Sequence, residues 1–226
     1  MQNFKKNSFY SILIFSLTLV GCATKLPLSQ QFYNDKKVGI ILDIADIGMA
    51  RTGSQGLLDV AITPGNKFIE PLHNIKSKLD YEGILKNEIS NIMKSKNKEF
   101  TFIDEKVDLA SYGEFETTNS DKKYAKTDFF PLRLARKDLN ELLVVKVKYG
   151  ILVSYYGFIE IGKEGYVNIA TEVIDLNDNS LLQKNQHQLN SPIHGNWKEG
   201  DADFDNLKVS IQESIDKSIT ILKESF

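Results

Sequence analysis

The chain has 226 residues, 26% of them charged and 42% hydrophobic, with a formal charge of -2 and a single cysteine. Those proportions are ordinary for a folded globular chain and exclude disorder as its general state. The weak negative balance, without a block of Lys or Arg, leaves no electrostatic footprint for nucleic acid, and one cysteine excludes an internal disulfide.

Lys5 and Lys6 precede a nearly uninterrupted apolar run, Phe9 to Val20, that ends in Leu19-Val20-Gly21-Cys22. The run falls short of the roughly 20 residues that cross a ~30 Å hydrocarbon core, and its order of basic, apolar and small residues is that of an export leader. The stretch resembles the lipobox of bacterial lipoproteins. The resemblance implies diacylglyceryl transfer to the Cys22 thiol, cleavage between Gly21 and Cys22, and acylation of the new amino terminus. Residues 1–21 are then a signal peptide, and the membrane is a partner through the acyl chains on Cys22. Each buried methylene adds about 0.8 kcal/mol, so two or three chains hold a protein to a bilayer almost permanently. Ala23 follows the cysteine, and in lipoproteins of enteric-type bacteria the absence of aspartate there implies the outer membrane. Removing 21 residues leaves 205 and a formal charge of -4, enough chain for one sizeable core.

Residues 22–37 are polar and aperiodic, and read as the lipidated cysteine and a tether. A single domain is expected over 38–226. Val38 to Ala45 is a β-branched apolar run interrupted by Asp43, consistent with a buried strand. Gly48, Gly53, Gly56 and Gly65, followed by Pro71, mark a Gly-rich insertion at 48–71, expected as a loop. Within it Leu57, Leu58, Val60, Ala61 and Ile62 are too apolar for an idle loop; they fit a short packed element or a contact surface.

Asp80 to Lys94 carries Tyr81, Ile84, Leu85, Ile89, Ile92 and Met93 on one helical face, with Asp80 placed as the cap. Phe100 to Ile103 is a short strand, so strand, helix and strand predict a parallel crossover unit. Residues 104–128 turn polar and read as a mobile connection. Pro131 suits the first turn of a short helix reaching about Asn140. Glu141 to Tyr156 is the strongest strand signal: Leu143, Val145, Val147, Tyr149, Ile151, Val153 and Tyr155 share one face, and Lys146, Lys148 and Ser154 the other. Gly157 to Gly165 is expected to turn the chain into an antiparallel strand, Tyr166 to Leu176. After a turn at Asn177 to Ser180 comes a polar edge strand, Leu181 to Leu189. A loop over Asn190 to Asp203 leads to a closing helix, Asp205 to Phe226, with Leu207, Ile211, Ile215, Leu222 and Phe226 inward.

The pattern predicts an α/β (α+β) domain, with a mixed sheet of about five strands and helices packed on it. The order of elements, carried by VGIILDI, LNELLVVKVKYGI and VNIATEVIDLNDNSLLQ, resembles the small α/β periplasmic lipoprotein domains of the curli-secretion type, the penicillin-binding-protein activators and the amino-terminal domain of TolB. The resemblance implies a binding or assembly role at the envelope, without chemistry or cofactor.

Catalytic and metal motifs are incomplete. The Gly-rich segment lacks the Gly-Lys-Ser/Thr of a P-loop, the glycine two positions before Ser54 of a nucleophile elbow, and dinucleotide spacing. Asp175, Asn177 and Asn179 begin a calcium-loop pattern, but Ser180 replaces its glycine and Gln186 its bidentate glutamate, leaving a plain turn. His187 and His194 would need Asp201 or Asp203 to hold a metal. The candidate interaction surface is therefore Leu57, Leu58, Tyr155, Tyr156, Phe158 and Trp197, with core packing as the alternative use of its aromatic members. The expected role is a lipid-anchored, non-catalytic module that meets an envelope protein or a second copy of itself. A subunit of an oligomeric secretion channel and a cell-envelope hydrolase are the alternatives.

Overall fold

The computed structural model describes residues 25–34, 37–103, 109–117, 121–200 and 203–226. Strands β1 (Lys37–Ile44), β2 (Gly48–Ser54), β3 (Glu99–Phe102), β4 (Glu141–Tyr156), β5 (Ile159–Asp175) and β6 (Leu181–Pro192) form one mixed sheet. Its order is β3-β1-β4-β5-β6, with β2 beside the far half of β4. The helices are α1 (Leu57–Ile62), α2 (Ile69–Lys76), α3 (Tyr81–Ser95), α4 (Phe130–Ala135) and α5 (Asp205–Glu224).

β4 is the spine because alternation gives it an unbroken apolar face. Leu143, Val145, Val147, Tyr149, Ile151, Val153 and Tyr155 all enter the main core, together with residues of α2, α3 and α5. On the opposite face Leu142 and Val144 join a smaller core with Phe129, Leu132 and Leu139, so the near end of the strand is covered on both sides. β1 pairs in parallel with both β3 and β4, which is the expected crossover unit around α3. Asp80 caps α3 by accepting from the Gly83 N–H at 3.0 Å.

The Gly-rich segment departs from the loop expectation. Gly48–Ser54 is a sixth strand, parallel to β4. Ile44 lies opposite Val147 and Gly48 opposite Gly150, so the β1–β2 side carries one extra residue, a bulge. Glycine here serves close approach rather than flexibility. A Cβ on Gly150, at φ +140°, would sit 2.0 Å from the Gly48 carbonyl oxygen, and one on Gly53, at φ +102°, 2.0 Å from that of Tyr155.

The turn expected over Gly157 to Gly165 shrinks to Gly157 and Phe158, and β5 begins at Ile159. Gly165 lets this longer strand run under α5: the Gly165 N–H donates to Ser210 Oγ at 2.7 Å, and Ser214 Oγ donates to the Gly165 carbonyl at 2.9 Å. Ser210, Ser214 and Ser218 are thus a buried stripe beside the expected apolar face of α5.

Two polar stretches are also part of the fold. Leu26 exchanges backbone hydrogen bonds with Lys184 on β6, and Phe32 is fully buried, so residues 26–34 of the expected tether are structured. In the expected mobile connection, the Asn179 side chain accepts from the Phe129 N–H at 3.1 Å and donates to the carbonyls of Ala125 and Thr127. Both cores share one sheet, and the described chain is a single α/β domain.

Candidate functional site

Parallel pairing carries β2 to the far end of β4, where the chain turns into α1. There the Gly157 N–H donates to the Ser54 carbonyl at 2.8 Å, and Gln55 Nε2 donates to the Gly157 carbonyl at 3.0 Å. These bonds set α1 beside the tip of the β4–β5 hairpin. Arg51 straps its other end: its guanidinium donates to Thr63 Oγ1 at 3.0 Å and to the Thr63 carbonyl, and lies 5.0 Å from the centre of the Tyr155 ring.

What this scaffold presents is apolar. Of thirteen exposed large apolar side chains among the described residues, nine lie in 57–69 and 156–161: Leu57, Leu58, Val60, Ile62, Ile69, Tyr156, Phe158, Ile159 and Ile161. Leu57 is 92% exposed, and α1 contains no buried residue. A helix of apolar residues with nothing over it is the opposite of the usual amphipathic arrangement.

The sequence-derived surface therefore divides. Leu57, Leu58, Tyr156 and Phe158 come together at this end. Tyr155 does not share that surface; it is 1% exposed beneath it, as its alternation with Tyr156 requires. Burial first, and then the Glu160 charge, raises its phenol pKa. Trp197 is half-buried, with its ring 5.0 Å from that of Phe68 and 5.7 Å from that of Phe204, so it packs on the core. Ile159 and Ile161 are additions to the expected set, because Phe158-Ile-Glu-Ile was read as a turn. Cys22 and Gly21 lie outside the described residues.

Glu160 sits behind the apolar tip between Lys67 at 2.5 Å and Lys163 at 2.6 Å. Burial pushes its pKa up, but the two ammonium groups outweigh that and hold it below the ordinary range. A concavity of about 360 Å³ lies on the outer face of the sheet around Ala170, bordered by Asp43, Lys146, Lys148, Asn168, Glu172 and Gln186. Its residues alternate in charge, and Lys184 is paired with Glu172 at 2.5 Å.

In the Asp175–Ser180 turn Asp175 Oδ1 accepts from the Asn177 N–H at 2.7 Å and Asp178 Oδ1 from the Ser180 N–H at 3.0 Å, while their second oxygens accept from Gln31 at 2.5 Å and from Lys122 at 2.7 Å. Among the described residues no three His, Cys, Asp or Glu side chains gather as a metal would require, and no helix is long and apolar enough to cross a membrane.

No protein-family model matches the chain, and no curated protein matches it. Among solved structures it is similar to a putative neuraminyllactose-binding hemagglutinin homologue of Helicobacter pylori, with a TM-score of 0.40 and 9% identity over 89% of this chain and 92% of that one. PelC of Paraburkholderia phytofirmans, solved as a dodecamer, gives 0.31 and 12% over 88% and 94%. Protein CT253 of Chlamydia trachomatis gives 0.31 and 9% over 84% and 96%. Likenesses this distant carry neither activity nor partner over to this chain.

Proposed function

We propose that the protein is an envelope lipoprotein, held at the periplasmic face of the outer membrane by acyl chains on Cys22, and that it works without catalysis as an interaction or assembly module. The observation that carries this reading is the outward-facing apolar end: nine side chains of α1, the start of α2 and the β4–β5 tip are exposed on a scaffold braced by Arg51 and Gln55. Surfaces of that kind mark contacts with proteins or membranes.

A channel-subunit role draws on the length of the hairpin. β4 and β5 have 16 and 17 residues, more than the roughly 9–11 that span a bilayer. The apolar face of β4 is already packed beneath helices, however, and is not free to meet lipid.

Metabolic labelling with a fatty acid, followed by membrane fractionation, tests the anchor. The parent chain takes up label and sediments with the outer membrane, and Cys22→Ala takes up none. Equal labelling of the two refutes the proposal. Crosslinking in intact envelopes from a photoreactive residue at position 58 then reports what the apolar end touches.

A further inference from the structure

We infer that the apolar end is a membrane-insertion tip, and that its occupant is the bilayer to which Cys22 is attached. The inference rests on the envelope-lipoprotein reading and names the partner of that same surface.

Area and shape come first. Tyr156 and its partner Ile159 face away from the helices while Ile69 lies on α2, so the exposed apolar residues surround this end of the molecule on both sides of the sheet. Taking ~100 Å² for an aliphatic and ~200 Å² for an aromatic side chain, scaled by their exposures, they expose roughly 700 Å² in total. These residues lie on a two-residue hairpin turn, a six-residue helix with no buried side chain, and the adjoining starts of β5 and α2. A second copy meeting this end engages only the residues on one side of it, short of the roughly 800 Å² per partner of a standard interface. A fluid bilayer wraps every side.

Several polar groups at this end are engaged within the protein, while Asp59 on α1, which has no ion pair among the described residues, holds the helix at headgroup depth. Backbone entering lipid must have its hydrogen bonds satisfied, and at the turn the Gly157 N–H and carbonyl are both engaged, by the Ser54 carbonyl and by Gln55. At the start of α1 the Gly56 N–H donates to Asp59 Oδ2 at 2.8 Å. Glu160 is compensated by Lys67 and Lys163, so the rim holds an internal charge triad in place of a basic patch. This arrangement suits neutral lipid. Tyr156 and Phe158 are ring types that sit well at a membrane interface.

The anchor makes weak insertion sufficient. Leu26 pairs with Lys184, which lies across from Glu172 and in turn Val144. Tyr156 is twelve residues further along β4, about 40 Å away. Cys22 precedes Leu26 by four residues, a reach of at most ~14 Å. Two membrane contacts separated in this way lay the sheet along the bilayer, and the tether raises the effective lipid concentration seen by the tip.

The test uses full-length acylated protein carrying Phe158→Trp and Trp197→Phe, reconstituted into phosphatidylcholine vesicles with or without bromine on the acyl chains. An inserted tip gives blue-shifted emission that bromine quenches. Adding Leu57→Asp and Leu58→Asp weakens insertion about tenfold per leucine and abolishes the quenching, while the protein still floats with the vesicles. Flotation without quenching in the parent overturns the inference and leaves the lipoprotein reading standing. A blue shift insensitive to bromine, with dimers by light scattering, overturns it in favour of a second copy. Failure of the parent to float overturns both.

Discussion

The buried ion pair at the base of the sheet gives a quantitative test of how this fold is held. Lys98 Nζ lies 2.9 Å from Glu141 Oε2, with side chains 2% and 0% exposed. The ammonium also donates to the Phe32 carbonyl and stands 3.9 Å from the centre of the Phe32 ring. It therefore joins the N-terminal segment, the start of β3 and the first residue of β4. At an effective dielectric of ~20 and this separation the attraction is about 6 kcal/mol, and the desolvation of two charges, several kcal/mol each, offsets most of it. Removing one charge leaves the other buried and uncompensated, so Lys98→Met or Glu141→Leu alone costs about 3–5 kcal/mol. Removing both with Lys98→Met and Glu141→Leu costs about 1 kcal/mol or less. Urea unfolding followed by far-UV circular dichroism, with equal slopes for all variants, measures the cycle. Each single variant melts about 7–12 °C below the parent. A cost for the double variant equal to the sum of the two singles refutes the argument, as does a single-variant cost below about 1 kcal/mol.

Gly165→Ala drives a Cβ to within 2.3 Å of the Ser210 carbonyl oxygen and 2.5 Å of the Ile211 nitrogen. Helix backbone cannot rotate aside, so the change costs about 2–3 kcal/mol and speeds hydrogen exchange in α5. Asn179 has φ 65° and makes three side-chain hydrogen bonds to residues 125–129. Asn179→Gly keeps the backbone angle and loses about 2 kcal/mol, and Asn179→Ala loses about 1 kcal/mol more; equal costs in denaturant titration would show the angle to be irrelevant. Burial raises the phenol pKa values of Tyr81, Tyr149, Tyr155 and Tyr166. The unfolded chain loses those protons first, near pH 10, so stability is full below that and falls as pH rises further. Tyr81→Phe, which also removes the 2.6 Å hydrogen bond to Ser218, gives a lower plateau and a shallower alkaline decline in melting temperature.

Where a local pattern is strong and unopposed, it sets the element directly. β4 runs over Glu141–Tyr156 as its alternation predicts, and α3 starts at the Asp80 cap. The same alternation places Tyr155 inward and Tyr156 outward, although residue type alone put both on the candidate surface. The order of strands around the α3 crossover was equally legible, because a parallel strand pair needs a connection of that kind.

Two things belonged to the tertiary structure alone. Gly48–Ser54 becomes a strand because β4 extends past β1 and offers an unpaired edge, and a glycine-bearing backbone can close on it without side-chain clashes. No window of local sequence contains that partner, which lies about a hundred residues away. The composition of Leu57–Ile62 marked the segment as apolar but carried no information on whether anything covers it. Exposure is decided by what folds over a residue, and here the bulge after β1, the two-residue hairpin turn and the Arg51 and Gln55 straps carry α1 beyond the reach of the core.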